Sequence, residues 1–117
     1  MKKATTGLSD HCRERIRAVT DTQDLISGKW KLAIIAALYY NKSFRFMDLC
    51  RHVENIAPKV LSKELKDLEM NRLVKRTVYD SMPVAVEYEL TSQGKNLKKV
   101  IETMAEWGMK YREEVFV

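Results

Sequence analysis

A chain of 117 residues, 45% hydrophobic and 32% charged, is sized for one domain with an ordinary core and leaves little room for a second. Its two cysteines, Cys12 and Cys50, are too few for a disulfide scaffold and match no zinc spacing, and no signal peptide or membrane span is visible, so a reducing, cytoplasmic setting is expected. A net charge of +5 and a pI near 9.2 direct attention to partners with dense negative charge, namely nucleic acid or an anionic membrane surface.

Residues 1–8 are expected to form a loose arm ahead of a single domain over 9–117. Ser9 or Asp10 is placed to cap a first helix over about 10–20, with Ile16 and Val19 on one face. Asp21 or Thr22 is placed to cap a short helical segment ending near Ser27-Gly28. From Lys29 to Tyr40, apolar residues cover every face, which marks a central, buried helix. Phe46, Leu49, Cys50 and Val53 predict an amphipathic helix over about 46–53.

After a short bridge, Pro58 opens a helix running to about Asn71; proline suits the first helical position, where its missing N–H costs nothing. The period then changes to alternation. Val74 to Tyr79 and Val84 to Leu90 predict a β-hairpin punctuated by Asp80-Ser81-Met82-Pro83. Thr91 or Ser92 is placed to cap a last helix over about 92–113, with Leu97, Val100, Ile101, Met104, Trp107 and Tyr111 as its apolar stripe. The fold class is therefore mainly α with a small β-hairpin. A helix, a brief turn, a second helix and then a hairpin is the winged helix-turn-helix arrangement.

The helix from Pro58 divides cleanly. Advancing about 100° per residue, Leu61, Leu65 and Leu68 share an arc of about 60° and make a core face. Lys59, Lys63 and Lys66 lie nearly opposite, with Ser62 at their edge. Ammonium groups neutralise phosphates and release counterions. Lys and Ser also donate to base edges. Residues near the start of such a helix reach bases and later ones reach phosphate, so Lys59, Ser62 and Lys63 are assigned to bases or nearby phosphates and Lys66 to phosphate. A merely solvated charged face is the alternative for an isolated helix; the elements around it favour DNA.

The stretches Gly28-Lys29-Trp30, Arg45-Phe46-Met47-Asp48-Leu49, Ile56-Ala57-Pro58-Lys59-Val60-Leu61-Ser62, Leu68-Glu69, Leu73-Val74-Lys75-Arg76, Val86-Glu87-Tyr88-Glu89-Leu90-Thr91 and Gly94 resemble, in order and spacing, the HxlR-type winged-helix transcriptional regulators. The resemblance covers about 28–107. It implies a homodimer that binds an inverted repeat, with N- and C-terminal helices at the dimer interface, a recognition helix at 58–71 and a wing over 74–90. It also implies, for several members, sensing of oxidants or electrophiles by an N-terminal cysteine. Arg45 and Arg76, inside the resembling stretches, join the expected DNA contacts. Three departures stand out. Ala57 replaces the Ser often found before the recognition helix and loses a cap worth about 1 kcal/mol. Ala85 replaces a basic residue near the wing tip. The segment from Cys12 to Gly28 is longer than the usual family spacing.

Cys12 lies among His11, Arg13 and Arg15, and nearby positive charge favours the reactive thiolate. It is read either as a redox sensor or as an ordinary thiol near the dimer interface. Cys50 is read as a small core residue. His11 and His52 complete no metal site, and no metal or cofactor is expected. Trp30 and Trp107 sit on apolar stripes; with Met104 and Tyr111 they leave room for a small-molecule effector at the interface. The last helix carries more apolar surface than one small domain covers, so a two-fold dimer is expected through it and Ile16 and Val19 of the first helix. The competing function is a winged-helix protein-interaction module. An enzyme is not expected, because no nucleophile–base pair or phosphate loop is visible. Nor is a membrane partner, because the leucines opposite the lysines are needed by the fold.

Overall fold

The computed structural model describes residues 7–115; most of the expected arm over 1–8 lies outside the described residues. The elements in chain order are α1 (Asp10–Ile26), α2 (Lys31–Asn41), β1 (Ser43–Arg45), α3 (Phe46–His52), α4 (Pro58–Met70), β2 (Val74–Tyr79), β3 (Ala85–Leu90), α5 (Ser92–Lys95) and α6 (Lys98–Val115). The winged helix-turn-helix expected from the pattern is present.

The helices at the two ends depart from the expected boundaries. Ser9 caps α1, accepting from the Cys12 N–H at 3.1 Å, but the helix does not stop near residue 20. The Thr20 and Thr22 hydroxyls donate to the carbonyls of Ile16 and Ala18, one turn back. Thr22 is thus inside a helix rather than capping a new one, and α1 continues unbroken to Ile26. The expected helix over 92–113 is divided instead. Thr91 caps a single turn, α5, and backbone bonds then tighten to the i−3 pattern at Asn96 and Leu97 (Asn96 N–H to Gln93 O, 3.2 Å; Leu97 N–H to Gly94 O, 3.1 Å) before α6 begins. That tightening is typical of a short 3₁₀ connection.

The sheet has three antiparallel strands in the order β1-β3-β2 rather than the two of a simple hairpin. The additional strand, Ser43–Arg45, pairs with Glu87–Glu89 of β3. It lies between the two helices expected over 29–40 and 46–53, where no strand was expected, because three residues are too few to display a period of two. In the long hairpin Val74 pairs with Leu90 and Tyr79 with Ala85.

The core is assembled from one face of each central element. α2 contributes Ile34, Ile35 and Leu38, α3 contributes Leu49, and α4 contributes Leu61, Leu65 and Leu68, all essentially excluded from solvent. Val74, Tyr88 and Leu90 close it from the sheet. Cys50 packs at its edge, as the pattern of α3 suggested. The two long end helices share little of this. α1 has no buried residue, and α6 has one, Ile101. They extend from the central body, and the radius of gyration is 18.1 Å against roughly 13 Å for a compact domain of about this length.

Candidate nucleic-acid interface

The turn between α3 and α4 is built from backbone bonds and one residue in the left-handed region. The Val53 N–H bonds Leu49 O at 3.0 Å, and the Ile56 N–H bonds Val53 O at 3.3 Å. Asn55, at φ 64°, reverses the chain; asparagine tolerates this conformation better than most residues. Val53 and Ile56 are buried on either side of it, so the turn is anchored from below. The Cys50 thiol lies 3.6 Å from Ile56 O and donates to it. Ala57 occupies the cap position of α4 without a side-chain hydrogen bond, and Pro58 takes the first helical position.

Burial of Leu61, Leu65 and Leu68 fixes the rotation of α4. Lys59, Ser62, Lys63 and Lys66 are all exposed on the opposite side, which forms a contiguous basic face of one helix. Counted at about 100° per residue, Met70 falls within this face, and it is 74% exposed. Met70 was not among the expected site residues, since it carries no charge. The same count of angles places it.

One flank of this face carries carboxylates. Lys31, in the first turn of α2, sends Nζ to Glu64 Oε1 at 2.5 Å and to Asp67 Oδ2 at 3.5 Å. The hydrogen bond to Glu64 and the two nearby carboxylate charges hold the Lys31 ammonium above the ordinary lysine range, against the opposing effect of burial. Lys63 Nζ lies 4.0 Å from the same Asp67 oxygen. Lys31 was not among the expected site residues; its partners lie 33 and 36 positions away, and no local pattern reports such a contact.

The wing is the β2–β3 hairpin. Residues paired across the ladder share a face of the sheet. Arg76 is paired with Tyr88, on the face that meets the core, whereas Arg45 is paired with Glu87, on the outer face. The two expected arginines are therefore not brought together. Tyr79 shares the outer face, and its hydroxyl donates to Glu87 at 3.3 Å. The negative charge of Glu87 raises the Tyr79 pKa above its usual value. At the tip the Met82–Pro83 peptide is cis, Ser81 Oγ donates to Pro83 O at 2.8 Å, and Met82 is 99% exposed.

Of the expected interface residues, Ile16 and Val19 on α1 and Val100, Met104, Trp107 and Tyr111 on α6 are exposed. Trp107 and Tyr111 stack with ring centroids 4.9 Å apart. Ile101 is only 6% exposed and belongs to the core, and Leu97 packs against that core. Both are thus engaged by the chain's own core rather than offered at its surface. Between α1, the start of α2 and α6 lies a groove of about 860 Å³ with Val19, Ile26, Leu32, Val100 and Met104 among its walls. Cys12 is exposed in the first turn of α1, and both cysteines are free. Among the described residues no group of three or more His, Cys, Asp or Glu side chains is arranged to hold a metal ion, and no helix is long and apolar enough to cross a membrane.

The described geometry agrees with comparisons to known proteins. A family model described as HxlR-like helix-turn-helix matches residues 25–116. An HTH-type transcriptional regulator of Halalkalibacterium halodurans, BH0655, is 44% identical over 89 residues, covering 76% of this chain and 79% of the relative. The redox regulator HypR in its reduced form superposes with a TM-score of 0.78 at 34% identity, covering 84% of this chain and 96% of the other. The reduced form of the transcriptional regulator YodB from B. subtilis superposes with a TM-score of 0.68 at 28% identity, covering 92% and 98%.

Proposed function

The chain belongs to the HxlR-like helix-turn-helix family of transcriptional regulators, and from that premise we propose that it is a homodimer that binds a specific inverted-repeat operator. In this reading α4 enters the major groove with Lys59, Ser62 and Lys63 toward bases or nearby phosphates and Lys66 on phosphate. Arg45 and Arg76 contact DNA from opposite faces of the sheet, so they reach different parts of the duplex. The observation that carries the reading is the exposed basic face of α4 set directly opposite three fully buried leucines. A helix held that way presents its lysines outward whatever else moves.

Dimerisation is supported by α1 and α6. A 17-residue helix with no buried side chain gains little from its own chain, since most helical stability in proteins comes from packing an apolar face. The exposed residues Ile16, Val19, Val100, Met104, Trp107 and Tyr111 supply such a face, and a second copy is its partner. Two-fold symmetry then sets two recognition helices about one DNA turn apart.

The likeness to the redox regulator HypR supports an oxidant or electrophile as effector. Cys12, exposed at the start of a helix that we place in the dimer interface, is the residue assigned to sense it.

A salt titration of binding to duplex DNA tests the central claim. Several phosphate contacts make log K fall linearly and steeply with log salt. Weak binding that does not change with salt would leave the protein-interaction module as the function.

A further inference from the structure

α4 carries three lysines, Lys59, Lys63 and Lys66, against three carboxylates, Glu64, Asp67 and Glu69, so the helix by itself has no net charge. Its basic face is nevertheless one-sided, because Glu64 and Asp67 lie on one flank, between the lysines and the leucines. At about 100° per residue, Asp67 is only about 40° from Lys63. A phosphate approaching Lys63 therefore also approaches Asp67, and the repulsion offsets part of the attraction.

Lys31 meets both of these carboxylates from another element. Its side chain and that of Glu64 are each 15% exposed, so the pair is largely shielded from solvent screening. Its position in the first turn of α2 is otherwise unfavourable, since a cation there opposes the helix dipole. The two carboxylates compensate for that placement, and Lys31 in turn offsets one of their two charges.

We propose that Lys31 is a positioning residue for DNA binding: its ammonium, bridging Glu64 and Asp67, offsets one of the two negative charges on the acidic flank of α4 and gives a helix that is neutral by itself a net cationic character, without touching DNA. The proposal rests on the reading that α4 faces DNA. Lys31 acts on affinity through charge on a helix 33 residues away in sequence, and its contribution is electrostatic rather than a matter of holding α4 in place, which the leucines already do.

The test uses the full chain and a duplex selected from a random library by the wild-type protein. Lys31→Met is expected to lower affinity about fivefold or more, the size of one uncompensated charge near the surface. Adding Glu64→Gln and Asp67→Asn to that variant is expected to restore binding, because neither the cation nor the anions then remain. The double variant Glu64→Gln/Asp67→Asn in the Lys31 background is expected to bind at least as tightly as the wild type. It also keeps the question decidable should Lys31→Met fold poorly. Binding by Lys31→Met within twofold of wild type would overturn the proposal. So would failure of the neutral triple variant to recover, or loss of affinity in the double variant, since each would mean the bridge holds geometry and not charge. Absence of any duplex selected by the wild type overturns the DNA reading itself and this proposal with it, a result distinct from the other three.

Discussion

Tyr39 on α2 donates a 2.6 Å hydrogen bond to Glu102 on α6, tying the long C-terminal helix to the central helix of the domain. The bond sits one residue beyond Ile101, where α6 leaves the core. It joins the exposed part of that helix to the domain, the part that the proposed homodimer would use.

The hydrogen bond to Glu102, with burial and the carboxylate charge adding to it, raises the Tyr39 pKa from 10.0 to about 12. The folded state therefore keeps a proton that the unfolded chain releases near pH 10. Stability from this bond is fully present below pH 10 and is lost as pH rises through about 12. Urea unfolding of wild type and Tyr39→Phe should show a constant gap below pH 10 that closes between pH 10 and 12. A gap that persists at pH 12 would assign the effect to something other than this proton.

Lys63→Ala should cost at least about 1 kcal/mol of operator affinity, at the low end of what a base-edge contact is worth. Stability should stay within about 0.5 kcal/mol of wild type, as for ordinary surface substitutions, because the 4.0 Å approach to Asp67 is an exposed pair of little energetic weight. Anisotropy titrations paired with thermal melts separate the two. Unchanged affinity would mean that another face of α4 meets DNA.

Val19→Asp combined with Trp107→Glu should convert a dimer to a monomer in sedimentation, with helicity of the central domain retained. Both residues are exposed, Trp107 by 66%, so neither change disturbs the core. A charge buried unpaired in an interface costs several kcal/mol. A wild-type monomer at working concentration would remove the dimer from the reading.

Gly94→Ala should destabilise the fold by about 2 kcal/mol or more, the upper range for overpacking. A Cβ at Gly94 would lie 2.2 Å from the Leu73 carbonyl oxygen. That neighbour is backbone at the start of the wing, and it has nowhere to retreat. Chemical denaturation measures the loss. A variant as stable as wild type would mean that α5 shifts freely against β2.

Diamide or quinone treatment should change the operator affinity of the wild type and leave Cys12→Ser unaffected. Cys50 is half-buried and already donates its thiol to Ile56 O, so it reacts more slowly. Identical loss of affinity in the two proteins would take the sensing role from Cys12.

What the sequence disclosed depended on the range of the interaction responsible. The leucines of α4, Pro58 at its first turn and the alternation of β2 and β3 are local signals, and each led to the right element. Thr22 misled, because a hydroxyl that donates one turn back within a helix is the same residue type that caps a new one. Ser43–Arg45 became a strand only through pairing with β3, where Ser43 meets Glu89 and Phe44 meets Tyr88, far along the chain. Ile101 and Leu97 share a helical stripe with Trp107, and nothing in that period says where core gives way to surface. Lys31 was silent for the same reason, since its two partners are supplied by the fold. The arginines at 45 and 76 looked equivalent until strand register put them on opposite faces.

The hairpin is fastened at its root and along β3, where β1 pairs with Glu87–Glu89. At the root the Leu73 N–H bonds Leu68 O at 2.9 Å, and the Thr91 N–H bonds Leu73 O at 3.0 Å. The Thr91 hydroxyl donates to Arg72 O at 2.6 Å and accepts from the Gly94 N–H at 3.0 Å. Mechanically this is a cantilever: the mounting carries the load, and the free end carries almost none. Residues 80–84 are all exposed, so they form an interchangeable tip whose composition is uncoupled from folding. If the wing meets DNA as proposed, the tip can be exchanged for one with a different preference while the same domain stays behind it.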